Sequence, residues 1–294
     1  MVSGSPASNV AATGHITIPL MKKMGYKPHF AAAVEAAASS GGTLAPPIMG
    51  AAAFVMAEIL QVPYGTIARS AVLPALLFYV AIFLAVHFEA KRLKLYGSPQ
   101  DQLPVLKEVM SKGFHVLLPL VLLIVFICMN YPIMYAAFIA TVALGVAACM
   151  RSYTRMRFRD FLDGLVDGAL KSLDAAAACA CAGIVIGTIN LTGLGLRFSQ
   201  LTMQIAENSV FLALFGTMVM LIVLGMGLPA VAAYVIGAAV SGPTLIGMGI
   251  PPLAAHLFIF YFSILSSITP PVALAAYIAA GIADTSPIKT AFTA

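Results

Sequence analysis

Residues 39–47 read SSGGTLAPP, and residues 263–271 read SILSSITPP. The second stretch follows the first at a distance of 224 residues, and Pro19, Pro28 and Pro63 have proline counterparts at the same distance. Proline makes up about 5% of average sequence, so five coincidences at one offset are on the order of one in a million for each offset tried. The chain therefore contains an internal repeat whose most distinctive part is a Ser/Thr-rich stretch that ends in Pro-Pro.

The composition indicates a membrane protein. Apolar residues make up 61% of the 294 residues and charged residues 9%, whereas soluble domains carry about 25% charged residues. Internal repeats in such an apolar chain are typical of secondary transporters. The net charge of +5 comes from Lys and Arg in two loops, which indicates membrane topology and argues against nucleic-acid binding.

Apolar segments of a length that crosses a bilayer determine the predicted topology. They lie at 29–62, 66–90, 113–130, 131–150, 160–196, 210–241 and 252–283. The basic loops 91–112 and 151–159 are placed in the cytoplasm, because Lys and Arg are enriched on that side. An odd number of crossings then separates the two proline-marked copies, so the second copy enters from the opposite side. An inverted repeat predicts alternating access around a site at the midplane.

The two Pro-Pro stretches are predicted to break helices inside the membrane. Proline lacks an N–H and clashes with the preceding turn, so the helix ends before it. Carbonyl groups freed in lipid are tolerated where they line a cavity or bind a cation. Neutral oxygens at a half-helix C-terminus suit Na⁺, and a half-helix N-terminus suits an anion. The alternative is a pair of Pro-kinked helices packed for structural reasons, but two copies of the same Ser/Thr-rich break favour a functional site.

A short segment precedes each broken helix. In the first copy we predict a helix at 9–21, whose 13 residues would extend about 20 Å and reach the midplane from one side. It suits the second arm of a re-entrant hairpin with its tip at 3–9, and the matching tip in the second copy is 225–230.

Acidic residues in the apolar segments are candidates for coupling. Glu35 lies within the first broken helix, and intramembrane carboxylates are functional candidates by default. Its counterpart in the second copy is Ile259, so a coupling role for Glu35 would not belong to the shared machinery. Asp174 ends a series of charged residues predicted as a solvated helical turn, and a coupling role for it is the alternative.

The sequence indicates neither enzymatic activity nor a metal site formed by histidines. The histidines show no metal-ligand spacing, and no Ser-His-Asp set, HExxH or phosphate-binding loop is present. We therefore expect neither an enzyme, nor a cofactor, nor a metal other than Na⁺.

Residues 4–58 resemble the large membrane subunit of tripartite ATP-independent periplasmic (TRAP) transporters. They read GSPASNVAATGHITIPLMKKMGYKPHFAAAVEAAASSGGTLAPPIMGAAAFVMAE. The likeness is greatest to fused permeases that work with TAXI-type binding proteins. Three later runs are similar to the same subunit, INLTGLG at 189–195, LGMGLPAVAAYV at 224–235 and SSITPPVALAAYIAAGIA at 266–283. The resemblance covers essentially the whole chain.

The resemblance implies an all-α polytopic membrane protein with an inverted repeat of re-entrant hairpin plus broken helix, the elevator-type transporter fold. It implies Na⁺-coupled import of organic acids, of the C4-dicarboxylate, sialic acid, 2-oxoglutarate or glutamate kind, across the inner membrane of a bacterium or archaeon. The implied partners are a periplasmic substrate-binding protein, the remaining permease segments or small membrane subunit, and the lipid bilayer.

The resemblance also implies site residues. One Na⁺ would lie between the first hairpin tip and the first break, at Ser5, Ser8, Asn9, Ser40, Gly41, Gly42 and Thr43. A second would lie between the second tip and the second break, at Gly225, Gly227, Ser267 and Thr269. The substrate carboxylate would lie between the two tips, at Ser5, Pro6, Pro46, Pro229 and Pro270.

The predicted organisation has three parts. Residues 1–65 and 205–294 are the two transport elements, and residues 66–204 are connecting helices. Because the resemblance begins at a hairpin tip and stops where the family continues into another helix, we expect a fragment of a longer polypeptide or a truncated gene model. The alternative function is a stand-alone Na⁺/divalent-anion symporter of the same architecture, and a channel is less favoured because broken helices suit a closed site.

Overall fold

The computed structural model describes residues 4–95, 106–129, 131–149, 157–193, 197, 200 and 209–294. Over these ranges the chain is helical and contains no strand. The helices are α1 (Pro6–Lys23), α2 (Pro28–Gly41), α3 (Ala51–Leu60), α4 (Tyr64–Arg92), α5 (Leu106–Cys128), α6 (Ile133–Cys149), α7 (Phe158–Thr192), α8 (Val210–Gly225), α9 (Ala230–Gly247), α10 (Pro252–Leu265), α11 (Leu274–Ala283) and α12 (Pro287–Thr293).

The lengths of the helices repeat in the same way as the sequence. Helices α1, α2 and α3, here called the first set, contain 18, 14 and 10 residues. Helices α9, α10 and α11, the second set, also contain 18, 14 and 10 residues. Left-handed backbone conformations recur at matching positions, at Gly25 and Gly249 after the first helix of each set and at Gln61 and Asp284 after the third. The two sets are therefore copies of one structural unit.

The prediction of a helix at 9–21 was wrong at both ends. Helix α1 begins at Pro6, because proline suits the first helical position and the Ser5 side chain accepts a hydrogen bond from the Ser8 N–H at 3.4 Å. It continues through Pro19 to Lys23, since packing against α2 and α11 supports it beyond the proline. Its 18 residues extend about 27 Å. Most of the predicted tip at 3–9 is thus helical, and Ser3 lies outside the described residues.

The two predicted helix breaks are confirmed. Helix α2 ends at Gly41 and α3 begins at Ala51, while α10 ends at Leu265 and α11 begins at Leu274. Residues 39–50, which include the last three residues of α2, are here called the first break, and residues 266–273 the second break.

One helix of the second set lies antiparallel to a helix of the first set. The Lys22 ammonium, at the end of α1 and just before α2, donates to the Ala283 carbonyl at the end of α11, at 2.8 Å. At the other end of α2, the Oγ atoms of Ser40 and Ser267 lie 3.2 Å apart. Helix α11 therefore lies alongside α2 and antiparallel to it.

Each set contributes its third helix to the other. Helix α11 packs on α1 and α2, and α3 packs on α9 and α10. The contact with α11 consists largely of alanines, whose small side chains let helices approach closely. Those buried completely are Ala31, Ala32, Ala36, Ala275, Ala276, Ala279 and Ala283. The third helix of each copy thus packs against the first two helices of the other copy.

The chain divides into two compact units. One comprises 1–62, 67–96 and 175–294 and contains both sets. The other comprises 63–66 and 97–174, where α5 packs on α6. The three-part division at 65 and 204 stays a prediction.

Two described helices are long and apolar enough to cross a membrane by length and composition, α4 with 29 residues and α9 with 18. Large apolar side chains of α4 are exposed: 65% of the surface of Leu73 and 69% of that of Phe83 is accessible. Such exposure is typical of a surface that contacts lipid. Residues 96–105 and 151–156 of the two predicted basic loops, and the side chain of Asp174, lie outside the described part of the chain.

Candidate functional site

The two breaks meet at a pair of serines. The Oγ atoms of Ser40 and Ser267 are 3.2 Å apart, and either can be the donor. Ser40 Oγ also lies 3.0 Å from the Ala36 carbonyl, and Ser267 Oγ lies 2.7 Å from the Ile264 carbonyl. The resemblance assigned these serines to two separate cation sites, but the structure places them in contact at the C-terminal ends of α2 and α10.

The start of α1 is docked on the first break. Asn9, which is 3% exposed, donates through Nδ2 to the Ser39 carbonyl at 3.2 Å. Gly4, with φ of +67°, lies so close to Gly50 that a Cβ on Gly4 would be 3.4 Å from the Gly50 Cα. The positive φ favours glycine at this position. The predicted tip and the predicted break are therefore brought together.

Hydrogen bonds connect residues within the first break. Thr43 is completely buried, and its Oγ1 donates to the Ser40 carbonyl at 2.7 Å. The Thr43 carbonyl accepts a hydrogen bond from the Gly50 N–H at 2.8 Å. Of the other predicted ligands, Gly41 and Gly42 are buried, Ser5 is half-buried and Ser8 is exposed. Their oxygens form a neutral, largely buried set.

The second tip is docked on the second break through a residue that the sequence did not single out. Ser266, which is 2% exposed, donates to the Gly225 carbonyl at 3.1 Å or to the Ser263 carbonyl at 2.7 Å. The predicted ligand Thr269, within the second break, donates to the Leu265 carbonyl at the end of α10, at 2.8 Å. Gly227 is exposed. The tip at Gly225 therefore contacts Ser266, one residue before the predicted Ser267.

The prolines predicted around the substrate have different surroundings. Pro6 is buried at the first position of α1, and Pro46 and Pro270 are half-buried within the breaks. Pro229 is exposed and immediately precedes α9. Pro6 and Pro229 thus mark helix N-termini, whose partial positive charge favours an anion.

Glu35 lies buried between α1 and α2, with 4% of its surface exposed. Its carboxylate accepts hydrogen bonds from three hydroxyls, which belong to Thr13, Thr17 and Ser39. The prediction from the sequence did not include these three residues. Thr13 and Thr17 are four residues apart, as are Glu35 and Ser39, so a search for polar pairs at helical spacing would have found both sides of the contact.

A second polar pair ties α9 to α10. Tyr234 Oη lies 2.7 Å from His256 Nδ1, both residues are buried, and the Tyr234 ring makes an edge contact with Phe260 at 5.9 Å between centroids. His256 therefore has a packing role, and its partner is a tyrosine hydroxyl.

The comparisons with known proteins agree with one another. A family model described as the DctM component of tripartite ATP-independent periplasmic transporters matches residues 1–294. A curated relative, the isethionate TRAP transporter permease protein DctMQ of Oleidesulfovibrio alaskensis, is 24% identical over 287 residues. The match covers 96% of this chain and 44% of the relative, so the chain spans less than half of the relative's length.

Proposed function

Because the chain belongs to the DctM component family of TRAP transporters, we propose that it is the permease segment of a sodium-coupled system that imports organic acid anions. The family consists of integral inner-membrane transporters and not of enzymes. Its members work with a periplasmic binding protein, and we propose such a protein as the partner here, together with the lipid bilayer and the remaining permease segments or small membrane subunit.

The observation that carries the proposal is the contact between the two breaks. Ser40 belongs to the first copy and Ser267 to the second, whose helix α11 is antiparallel to α2, and the two hydroxyls are 3.2 Å apart. In transporters, oppositely oriented repeats place the substrate and coupling-ion sites where the repeats meet. The two sets, inverted in the membrane, would move as the transport element of an elevator.

The proposed cation sites use neutral oxygens. At the first break the Ser40 and Thr43 carbonyls and the Thr43 hydroxyl lie within a buried region. At the second break the Ser266 hydroxyl contacts the Gly225 carbonyl, and the Ser267 and Thr269 hydroxyls contact the carbonyls of Ile264 and Leu265 at the end of α10. Uncharged oxygens at half-helix C-termini suit Na⁺, because the helix dipole adds negative potential there.

The proposed substrate is an anion held near the N-termini of α1 and α9. The backbone N–H groups and the partial positive charge at those ends favour carboxylate or sulfonate oxygens alike. The relative named for isethionate, a sulfonate, supports widening the class of substrate from C4-dicarboxylates, 2-oxoglutarate and glutamate to organic acids in general.

Uptake into proteoliposomes tests the proposal. The complete permease and its binding protein would be assayed with radiolabelled succinate, 2-oxoglutarate, glutamate and isethionate, with and without an inward Na⁺ gradient. We expect uptake of at least one of them to require both the gradient and the binding protein. Uptake without the binding protein would favour the stand-alone symporter, and uptake indifferent to Na⁺ would refute sodium coupling.

Removing single hydroxyls tests the two breaks. Thr43→Ala and Thr269→Ala should each raise the Na⁺ concentration for half-maximal uptake about tenfold, as expected for a loss of about 1.4 kcal/mol of binding energy. Thr141→Ala is the matched control, since Thr141 also donates to a carbonyl four residues earlier, at 2.8 Å, but lies exposed on α6. An equal shift in all three variants would contradict a role for the breaks in Na⁺ binding.

A further inference from the structure

The carboxyl group of Glu35 sits in a cluster of hydroxyls between α1 and α2. Thr13 Oγ1 lies 2.5 Å from Glu35 Oε1, Thr17 Oγ1 lies 2.6 Å from Oε2, and Ser39 Oγ lies 3.3 Å from Oε1. These four residues are here called the Glu35 cluster. We infer that the Glu35 cluster is a proton-binding site, which is loaded and unloaded during transport. This inference rests on the proposed transport function.

The Glu35 cluster contains fewer hydroxyl protons than oxygen atoms placed to accept them, so it can accommodate one additional proton. Thr13 Oγ1 is also 2.9 Å from the Asn9 carbonyl, and Thr17 Oγ1 is also 3.1 Å from the Thr13 carbonyl. Each hydroxyl has one proton to donate, and an ionised carboxylate can only accept. While Glu35 is ionised, each threonine hydroxyl can therefore donate its proton either to the carboxylate or to a carbonyl, but not to both. A protonated Glu35 donates to one threonine, which is then free to donate to its carbonyl.

No cationic side chain compensates Glu35 in the described part of the chain. The ionisable groups on the elements beside it are His15, Lys22 and Lys23 of α1, His29 of α2, Tyr79 of α4, Tyr277 and Asp284 at α11 and Lys289 of α12. The one ion pair among the described residues joins Arg92 to Glu89, and Lys22 donates to the Ala283 carbonyl. In the described part of the chain the carboxyl of Glu35 is therefore held by hydroxyl groups and not by a countercharge.

The second set shows that packing does not require a carboxyl group at this position. Gly14 of α1 approaches Glu35 so closely that a Cβ on it would lie 3.6 Å from Glu35 Cγ. Gly237, near the corresponding position of α9, approaches Ile259 in the same way, with a Cβ 3.0 Å from Ile259 Cγ2. An aliphatic side chain therefore makes a similar helix contact in the other copy. The carboxyl and its hydroxyl partners add a polar site to the first set.

The step is a reversible protonation without other covalent change. The ionised Glu35 takes up one proton from the aqueous phase on the side where substrate is loaded, and the protonated carboxyl releases it on the side where substrate leaves. The permease would then respond to a proton gradient in addition to the Na⁺ gradient.

Two measurements on the complete permease test this. The first is uptake of the transported acid at a fixed Na⁺ gradient, with and without an inward proton gradient. The expected result is a several-fold faster uptake with the proton gradient in the wild type and in Glu58→Gln, whose carboxyl is exposed. Glu35→Gln keeps the shape of the protonated side chain, and it should retain substrate exchange but lose the response.

The second measurement is independent of transport. Infrared difference spectra of the purified protein across a pH titration should contain a protonated-carboxyl band that is present in Glu58→Gln and missing in Glu35→Gln. Should Glu35→Gln not fold, Thr17→Val replaces it: losing one hydroxyl partner of the carboxyl should shift the frequency of the band.

The outcomes separate the two proposals. A proton response that persists in Glu35→Gln, or a band unchanged by substitution at Glu35 or Thr17, would overturn the inference and leave the sodium proposal standing. Sodium-independent uptake by the wild type at constant pH would overturn the proposed sodium coupling, whatever the behaviour of Glu35.

Discussion

The contact of Gly225 with Ser266 allows one substitution to test whether the second hairpin tip is docked on the second break. Gly225 is the last residue of α8, and a Cβ on it would lie 2.5 Å from Ser266 Oγ and 2.8 Å from Ser266 Cβ. In Gly225→Ala either α8 or Ser266 must therefore move. Ser266 is 2% exposed, so it has little free space to move into.

The expected cost of Gly225→Ala has three contributions. Overpacking a tight contact costs about 1–3 kcal/mol, and losing the hydrogen bond from Ser266 to the Gly225 carbonyl adds about 1 kcal/mol. The higher helix propensity of alanine offsets about 1 kcal/mol. The net destabilisation is therefore about 1–3 kcal/mol, and each kcal/mol lowers the unfolding temperature by about 2–4 °C.

Thermal unfolding of the purified protein, with and without Na⁺, measures this cost. Gly216→Ala is the matched control, because Gly216 lies in the same helix and no atom of the described residues lies within 4 Å of a Cβ placed there. We expect the control to be neutral or slightly stabilised, and Gly225→Ala to unfold earlier and to gain less from Na⁺. If Gly225→Ala unfolded no earlier than Gly216→Ala, the docking of tip on break would be refuted.

Two further substitutions concern buried polar atoms, and thermal unfolding measures both. Tyr234→Phe removes the partner of the buried His256 Nδ1, 2.7 Å away, and should destabilise by about 1–3 kcal/mol; an unchanged unfolding temperature would contradict the contact. Thr217 Oγ1 is buried and lacks a hydrogen-bond partner in the described part of the chain, so Thr217→Val should stabilise by about 1–3 kcal/mol; a lower unfolding temperature would show that the hydroxyl is satisfied.

The two breaks could be predicted because a Ser/Thr-rich stretch ending in Pro-Pro recurs in the sequence. Helices α2 and α10 end before Pro46 and Pro270, whereas α1 continues through the single Pro19, so the repeated Pro-Pro pair was the informative signal. The resemblance to TRAP transporters, which depended on the residues around those breaks, is confirmed by the family match over residues 1–294.

The start of α1 was mispredicted because two local signals compete there. The series Gly4-Ser5-Pro6 is typical of a turn, but Ser5 followed by Pro6 is also a good helix start. The packing of α1 against α2 and α11 decides between them, and α11 lies more than 200 positions away along the chain.

The arrangement of the site could be predicted only in part for the same reason. The sequence identifies Ser40 and Ser267 as polar residues at helix breaks, but their contact arises from the antiparallel packing of the two sets. The hydroxyl partners of Glu35 depend likewise on the rotation of α1 against α2. The assignment of Na⁺ and substrate ligands stays a prediction.

The central claim is that substrate and Na⁺ move together through the site where the two sets meet. Its most direct test is the flux of radioactive Na⁺ into proteoliposomes containing the complete permease, measured with binding protein and transported acid present or absent. We predict Na⁺ entry that depends on the acid, and in Thr43→Ala and Thr269→Ala a half-maximal entry that requires a higher Na⁺ concentration. Uptake of the acid without any accompanying Na⁺ entry would contradict the claim.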